Sequence, residues 1–256
     1  MVPRPRLLLS NDDGYSAEGL QVLADALEAV GEVWVVAPGR QQSAVSHAVT
    51  LHRPLRMRRL GRRRYSVDGT PTDCVAVGMG YLMADAPPDV VVSGINFGVN
   101  MGADVHYSGT VSAAFEGVIS GVPAVAVSQQ IGEGFTYHAA ARFTRTVVEW
   151  ILEHGLPRDT LLNINVPAVA PRGVRLTRLG TRRYTEGVIR DEDPRGNEIF
   201  WIGGGDPIWE AIPGTDFPAV AEGHISVTPL HLDMTAGTLL RQLEADPPEW
   251  VRDGGE

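Results

Sequence analysis

The sequence predicts an α/β fold: a Rossmann-like, mostly parallel sheet with helices on both faces. Two observations carry this prediction. Short apolar runs alternate with amphipathic stretches of helical spacing as far as residue 167. Polar or glycine-rich loops follow several of these runs at their carboxyl ends. Because a strand–helix–strand alternation is typical of parallel sheets covered on both faces, we expect a catalytic core over residues 1–170.

The pattern of predicted elements changes near residue 171, which indicates a second part of the chain. Short β-like runs at residues 174–179, 199–202 and 225–228 alternate there with polar, turn-rich segments, and a helical pattern appears only near Leu239. We interpret residues 171–256 as a β-rich extension with a C-terminal helix. It is expected to pack on the core, and its hairpins are of a kind often used for oligomer contacts.

Each predicted element of the core has a local signal. Strands are expected at residues 7–10, 33–38, 65–68, 88–93, 124–128 and 161–167. Helices are expected after Ser16, which can cap the first one, after Thr70 with Pro71 at its first position, after Ser108, and up to Gly155. The arginine-dense residues 53–64 suit an exposed hairpin better than a nucleic-acid patch, since aromatic residues are few there.

Composition excludes several classes of chemistry. The net charge of −9 disfavours binding to a nucleic-acid duplex. Every basic side chain other than histidine is arginine, so a P-loop lysine and Schiff-base chemistry are excluded. The one cysteine, Cys74, lies in an apolar run and is expected to be a core thiol. No signal peptide or membrane-spanning run is evident, so we expect a cytoplasmic protein without membrane contact.

The strongest site signal is an acidic pair after the first strand. Asn11, Asp12 and Asp13 lie at the carboxyl end of a buried strand, where open α/β sheets bind ligands. Adjacent carboxylates repel each other, and a divalent cation with oxygen ligands, such as Mg²⁺, Mn²⁺ or Ca²⁺, relieves this repulsion. A helix cap with solvated loop acids is the alternative. Asn96, after the strand at 88–93, offers a neutral oxygen, and Ser43 lies in a loop expected beside the pair.

Three further groups of residues are candidates for contacts with substrate. Ser108, Gly109 and Thr110 open a helix and can seat a phosphate. Gly69 and Thr70 also precede a helix, although capping alone explains them. Asn11 and Asn100 are added as donors near the same edge of the sheet. Two loop histidines complete the set: His106 is either a proton donor or structural, and His47 either supports the site indirectly or is structural.

Five ordered motifs resemble the SurE family, the stationary-phase survival proteins that are metal-dependent 5′-nucleotidases and phosphatases. The motifs lie at residues 10–14, at 37–38 with Ser43 and 46–47, at 69–74, at 93–96 with Gly98 and Asn100, and at 107–111. Further matches lie at residues 163–167, 193–196, 214–216 and 228–230, so the resemblance covers nearly the whole chain.

The resemblance implies a site and an assembly. Asp12, Asp13, Ser43 and Asn96 are expected to bind one divalent metal ion, Mg²⁺ or Mn²⁺. A C-terminal hairpin is expected to be exchanged between subunits of a homodimer or homotetramer. The chain departs from the family at residues 39–42, Gly-Arg-Gln-Gln, where charged residues are common. This departure bears on substrate preference rather than on metal binding.

These observations together predict hydrolysis of nucleoside 5′-monophosphates to nucleoside and phosphate. Asp12 or Asp13 is expected to accept a proton from water, and Asn100, Ser108 and Thr110 to hold the phosphoryl oxygens. A nucleotide sensor without turnover is the alternative. A receiver-type phosphoacceptor domain is a third reading, which the missing lysine and the length of the chain disfavour.

Overall fold

One nine-stranded sheet organises the protein, as seen in a computed structural model that describes residues 4–183, 187–202 and 208–252. The strands of the sheet, in chain order, are β1 Arg6–Ser10, β2 Glu32–Pro38, β3 Met57–Gly61, β4 Arg64–Val67, β5 Val90–Phe97, β6 Ala124–Gln129, β7 Thr160–Val166, β8 Val174–Leu176 and, later in the chain, β13 Ile225–His231. Four short strands lie outside it: β9 Arg182–Arg183, β10 Val188–Glu192, β11 Glu198–Ile202 and β12 Ile208–Trp209.

The order of strands in the sheet is β3-β4-β2-β1-β5-β6-β7-β13-β8. All neighbours are parallel except the β3–β4 hairpin and the β7–β13 pair, so the predicted mostly parallel sheet is confirmed. The spacing of the elements along the sequence does not predict this order of strands. β8 and β13, which lie beyond residue 170, hydrogen-bond into the same sheet as the core strands. The division at residue 170 therefore separates two segments of chain and not two sheets.

Helices cover both faces, as predicted. They are α1 Glu18–Leu27, α2 Pro71–Val77, α3 Gly109–Ile119, α4 His138–His154, α5 Asp216–Ala221, α6 Gly237–Ala245 and α7 Glu249–Arg252, with a π-helical turn at Gly78–Leu82 and a 3₁₀ turn at Gly102–His106. α1 and α4 pack with Leu7 and Leu9 on one face, whereas α2 and α3 pack with Leu8 on the other. Alternation along β1 thus supplies both halves of the core.

Some local predictions need correction. Ala17, and not Ser16, is the N-cap of α1, and no side chain caps that helix. β5 continues to Phe97 through an irregularity between Ser93 and Asn96, so Asn96 lies in the strand and not beyond it. The cap at Thr70 and the end of α4 at Gly155 are confirmed, and α3 begins after Ser108 as expected, with Ser108 as its N-cap. Cys74 is a buried free thiol, as expected.

Among the described residues, no helix is long and apolar enough to cross a membrane.

Candidate metal and phosphate site

Loops that follow parallel strands converge at one edge of the sheet. The backbone N–H of Tyr15 donates to the carbonyl of Pro38 at 2.7 Å, and the N–H of Gln42 donates to the carbonyl of Asp12 at 2.7 Å. Further along the same loop, the N–H of Ser46 donates to the carbonyl of Tyr107 at 3.1 Å. The loop after β2 is therefore fastened both to the acidic pair and to the turn that precedes α3.

Asp12 lies against the N-terminus of α3. Its side chain is 5% exposed, and the hydroxyl of Thr110 donates to its Oδ1. A Cβ at Gly109 would lie 2.8 Å from the Cβ of Asp12 and 3.1 Å from its Oδ2, so only glycine fits there without a shift. Burial raises the pKa of Asp12 to about 6, and the charge of Asp13 adds to this effect.

Asp13 faces the end of β5. Its Oδ2 accepts the backbone N–H of Phe97 at 2.9 Å. Burial raises the pKa of Asp13 above its usual value, although this hydrogen bond opposes the shift. The contact brings the acidic pair next to the part of β5 that carries Asn96. Two neighbouring carboxylates whose charged forms are both penalised by burial make a site that favours a cation.

The other two predicted ligands lie on this same edge. Ser43 is exposed, and its Oγ accepts from Nε2 of Gln41 at 2.9 Å. Asn96 is half-buried, and its Nδ2 donates to the carbonyl of Gly98 at 2.8 Å. Since the amide nitrogen of Asn96 is used in this way, its oxygen is the atom that can be offered to a cation. Asn96 and Ser43 remain predicted ligands.

The donor set fits a hard divalent ion. In the part of the chain that the structure describes, no three His, Cys, Asp or Glu side chains come together as a metal-binding group. A metal ion at the acidic pair would therefore be held by two carboxylates and by neutral hydroxyl and amide oxygens. Such all-oxygen sites suit Mg²⁺ and Mn²⁺ and do not suit metals that prefer nitrogen or sulfur ligands.

Most of the predicted phosphate contacts have local partners in the structure. Asn11 is fully buried, and its Nδ2 donates to the carbonyl of Gly14 at 3.0 Å, which braces the turn. Thr70 forms a capping box with Asp73, and a Cβ at Gly69 would lie 2.6 Å from Oδ2 of Asp73. These contacts account for Asn11, Gly69 and Thr70 structurally. Their contact with substrate stays a prediction without support from geometry.

Asn100 belongs to a buried network of amides. Its Nδ2 donates to Oγ of Ser128 at 2.8 Å, and its N–H donates to Oδ1 of Asn165 at 2.8 Å. Its carbonyl accepts from Nδ2 of Asn163 and from Nδ2 of Asn165. The network fixes the loop after β5 to β6 and β7. A role of Asn100 in positioning that loop follows directly, whereas a contact with phosphate remains a prediction.

Ser108, Gly109 and Thr110 are the predicted phosphate residues that lie at the acidic pair. Ser108 caps α3 by accepting the N–H of Val111 at 3.1 Å, and the hydroxyl of Thr110 is directed to Asp12. The helix that they open has 11 residues, long enough for its N-terminus to attract an anion. The structure therefore places this helix terminus and the carboxylates side by side.

The geometry of this site can be compared with known proteins. A family model described as survival protein SurE matches residues 7–186. The chain belongs to the SurE family. It is 52% identical over 233 residues to a 5′-nucleotidase SurE from Geobacter sulfurreducens, covering 90% of this chain and 88% of that one. A 5′-nucleotidase SurE from Myxococcus xanthus is 48% identical, covering 97% of this chain and 94% of that protein.

A solved structure of the family shares the fold. The crystal structure of the SurE protein from Aquifex aeolicus matches with a TM-score of 0.85 and 42% sequence identity, covering 94% of this chain and 99% of that one. The resemblance inferred from sequence motifs is therefore confirmed, and so is the α/β fold.

The structure also gives His47 a partner that the sequence analysis did not name. Nε2 of His47 lies 3.0 Å from Oε2 of Glu116 on α3. The sequence analysis missed Glu116. A signal was present, because Ser108, Ser112 and Glu116 are spaced by four residues and share one face of the helix. His106 lies nearby, where its carbonyl accepts from Oγ of Ser46 at 2.7 Å.

Proposed function

We propose that the chain is a metal-dependent phosphomonoesterase that hydrolyses nucleoside 5′-monophosphates to nucleoside and phosphate. The observation that carries the proposal is the buried Asp12 carboxylate, which lies beside Asp13 and against the N-terminus of α3. The names of relatives about 50% identical over nearly the whole chain support the same activity.

One divalent ion, Mg²⁺ or Mn²⁺, is the proposed cofactor, held by Asp12, Asp13, Ser43 and Asn96. When bound, such an ion supplies Lewis-acid chemistry, since it offsets phosphate charge and makes water more acidic. The hydrogen bond from the backbone N–H of Gln42 to the carbonyl of Asp12 supports this assignment, because it holds the segment carrying Ser43 against the acidic pair.

The chain's own residues would then share the work of hydrolysis. Asp12 or Asp13 accepts the proton of the attacking water as a general base. The backbone at Ser108 and Gly109, where α3 begins, binds the phosphoryl oxygens. Thr110 holds Asp12 in place through its hydroxyl. We assign no covalent phospho-enzyme to this reaction.

A simple assay tests the proposal. Phosphate release from AMP, GMP, CMP and UMP is measured with Mn²⁺ or Mg²⁺ and again with EDTA. We expect release that depends on the metal. Binding of nucleotide without release of phosphate would overturn the proposal in favour of a nucleotide sensor, and stable labelling by acetyl phosphate would favour a phosphoacceptor domain.

We also propose self-association through the extension, as a homodimer or homotetramer. The β10–β11 hairpin exposes Trp201 to 60% and Ile202 to 94%, and α6 has no buried residue although it carries Leu239 and Leu240. Exposed apolar side chains in this number are typical of interaction surfaces. Light scattering checks the assembly: the parent should have a multiple of the 27.6 kDa chain mass, and a Trp201→Ser, Ile202→Ser variant a smaller one.

A further inference from the structure

A cavity lies beside the loop that carries Ser43. Its volume is about 450 Å³, and it is lined by Gly39, Arg40, Gln42, Arg53, Val67 and Asp68. The residues come from the loop after β2, from the end of β4 and from the segment before β3. Because β2 and β4 are parallel, their carboxyl ends place this cavity on the same edge of the sheet as the acidic pair.

The cavity and the acidic pair share a short piece of backbone. Gln42 lines the cavity, its N–H donates to the carbonyl of Asp12, and Ser43 is the next residue, whose Cα is about 3.8 Å away along the chain. The backbone of Arg40 packs on the turn after Asp13, since a Cβ at Gly14 would lie 3.1 Å from the carbonyl carbon of Arg40. The cavity and the acidic pair therefore lie next to each other along the same stretch of backbone.

The lining combines hydrogen-bond donors with acceptors, the amide oxygen of Gln42 and the carboxylate of Asp68. Arg40, Arg53 and Gln42 offer guanidinium and amide N–H groups, and Asp68 offers a carboxylate. Asp68 is held in place, because it accepts the N–H of Arg56 at 2.7 Å and lies 3.3 Å from Arg53. Its pKa lies below the usual value, mainly because of the hydrogen bond from Arg56, so it is charged at neutral pH.

This combination selects among the groups that a phosphate ester can carry. A second phosphate would gain from the arginines, but Arg53 already pairs with Asp68 at 3.3 Å, so part of that positive charge is used within the protein. A nucleoside has both kinds of partner: base carbonyls and ring nitrogens accept from arginine or glutamine, and ribose hydroxyls donate to a carboxylate. Arginine can also stack on the plane of a base.

We propose that this cavity binds the ribose and base of the nucleotide whose phosphate lies at the acidic pair, with Arg40 and Gln42 contacting the base. This inference rests on the proposed nucleotidase function and assigns the specificity of that site. Within residues 39–42, where charged residues are common in the family, this chain has the uncharged Gln42, so the preferred base is expected to depend on Gln42 beside the charged Arg40.

The test compares substrates that differ only in the nucleoside. Values of kcat/KM are measured for the four nucleoside monophosphates, for ribose 5-phosphate and for glycerol phosphate, in the parent and in Arg40→Ala and Gln42→Ala. Both substitutions keep the N–H of residue 42 that bonds to Asp12. We expect kcat/KM for the preferred nucleotide to fall at least about tenfold more than for glycerol phosphate, as expected for the loss of a hydrogen bond from a charged group.

Arg58→Ala is the matched control, because Arg58 is an exposed arginine on β3 that does not line the cavity. It should leave all ratios unchanged. Equal losses for nucleotides and glycerol phosphate would overturn the proposal, since the loop would then act only through the acidic pair. If Arg40→Ala or Gln42→Ala selectively lost the binding of tripolyphosphate, this result would also overturn the proposal and would assign the cavity to an anion.

A further measurement separates this inference from the proposed function. If the parent hydrolyses none of the esters, the nucleotidase proposal fails, but binding of free guanosine or adenosine is still measured by ligand-observed NMR. Binding that the parent shows and Arg40→Ala loses would support the cavity by itself. Equal binding by both proteins would overturn it.

Discussion

Two buried carboxylates, one in the core and one in the extension, are held in opposite ways. Asp216 is fully buried, and it accepts the N–H groups of Gly102, Gly180 and Phe217 at 2.8 to 2.9 Å. Asp12 is almost as buried, but a second carboxylate adjoins it and the Thr110 hydroxyl is its side-chain donor. Burial raises the pKa of both.

The two carboxylates show how buried acids divide between structural and chemical roles. Asp216 is surrounded by donors and works as a crosslink between the extension and the turn at Gly102–His106. Asp12 also has donors, the hydroxyl and the backbone N–H of Thr110, but the charge of its acidic neighbour adds to the cost of its own, so a cation is the partner that would offset both charges. A buried carboxylate of the first kind holds a fold together, whereas one of the second kind binds a ligand.

The largest expected effect comes from removing the acidic neighbour. Asp13→Ala should lower metal-dependent phosphate release about 10³-fold, because a cation contributes several kcal/mol and the one remaining carboxylate, with neutral oxygens, binds it more weakly. Turnover and Mn²⁺ affinity by calorimetry check this. Asp191→Ala, the same change on the exposed hairpin, is the control. Full activity of Asp13→Ala at low metal concentration would remove the basis for the site.

A second prediction concerns stability without metal. The pKa of Asp12 is about 6 when folded and near 3.8 when unfolded, so the folded state binds more protons between these values and the parent loses stability as pH rises from 4 to 6. Asp12→Asn removes this loss. Its free energy of unfolding should exceed that of the parent by about 3 kcal/mol at pH 8, and this gain should be absent below pH 4.

Asp216→Asn should act in the opposite direction, because the backbone hydrogen bonds that it disturbs outweigh the relief of its own buried charge. One oxygen becomes an NH₂ group that faces a backbone N–H, which costs about 1–3 kcal/mol. Urea unfolding of both variants in EDTA, at pH 4 and pH 8, measures the two effects. If both variants shift stability with the same sign at pH 8, the contrast between the two carboxylates is wrong.

The smallest effect is expected at Thr110. Thr110→Val keeps the shape but removes the hydroxyl that donates to Asp12, so the pKa of Asp12 should rise further and metal binding should begin at a higher pH. We expect roughly a tenfold weaker Mn²⁺ affinity at pH 6. Mn²⁺ titrations followed by EPR across pH measure this. Thr144→Val is the control, since the hydroxyl of Thr144 is buried without a hydrogen-bond partner among the described residues. Identical pH curves for both variants would contradict the prediction.

The sequence predicted where the acids lie better than what they touch. Asp12 and Asp13 were placed by a local rule, because the residues after a buried parallel strand reach the ligand-binding edge of the sheet. The partners of Asn100 could not be predicted in this way. They lie on β6 and β7, and their proximity depends on a strand order that spacing does not encode.

Contacts between residues far apart in the sequence explain other differences between the predictions and the structure. Thr110 looked like a phosphate ligand because it opens a helix, yet its hydroxyl is directed to Asp12, 98 positions earlier in the chain. The need for glycine at position 109 arises from the same approach. Ser16 was expected to cap α1 from its residue type alone, but the chain enters the helix one residue later at Ala17.

The insertion of β13 between β7 and β8 has a practical consequence. A fragment ending near residue 170 would contain both acids but would leave β7 as an exposed edge strand. The unpaired backbone groups of such an edge pair with other chains and promote aggregation. The first two thirds or so of the polypeptide thus depend on the rest of the chain to cover β7, and shortened versions are expected to precipitate.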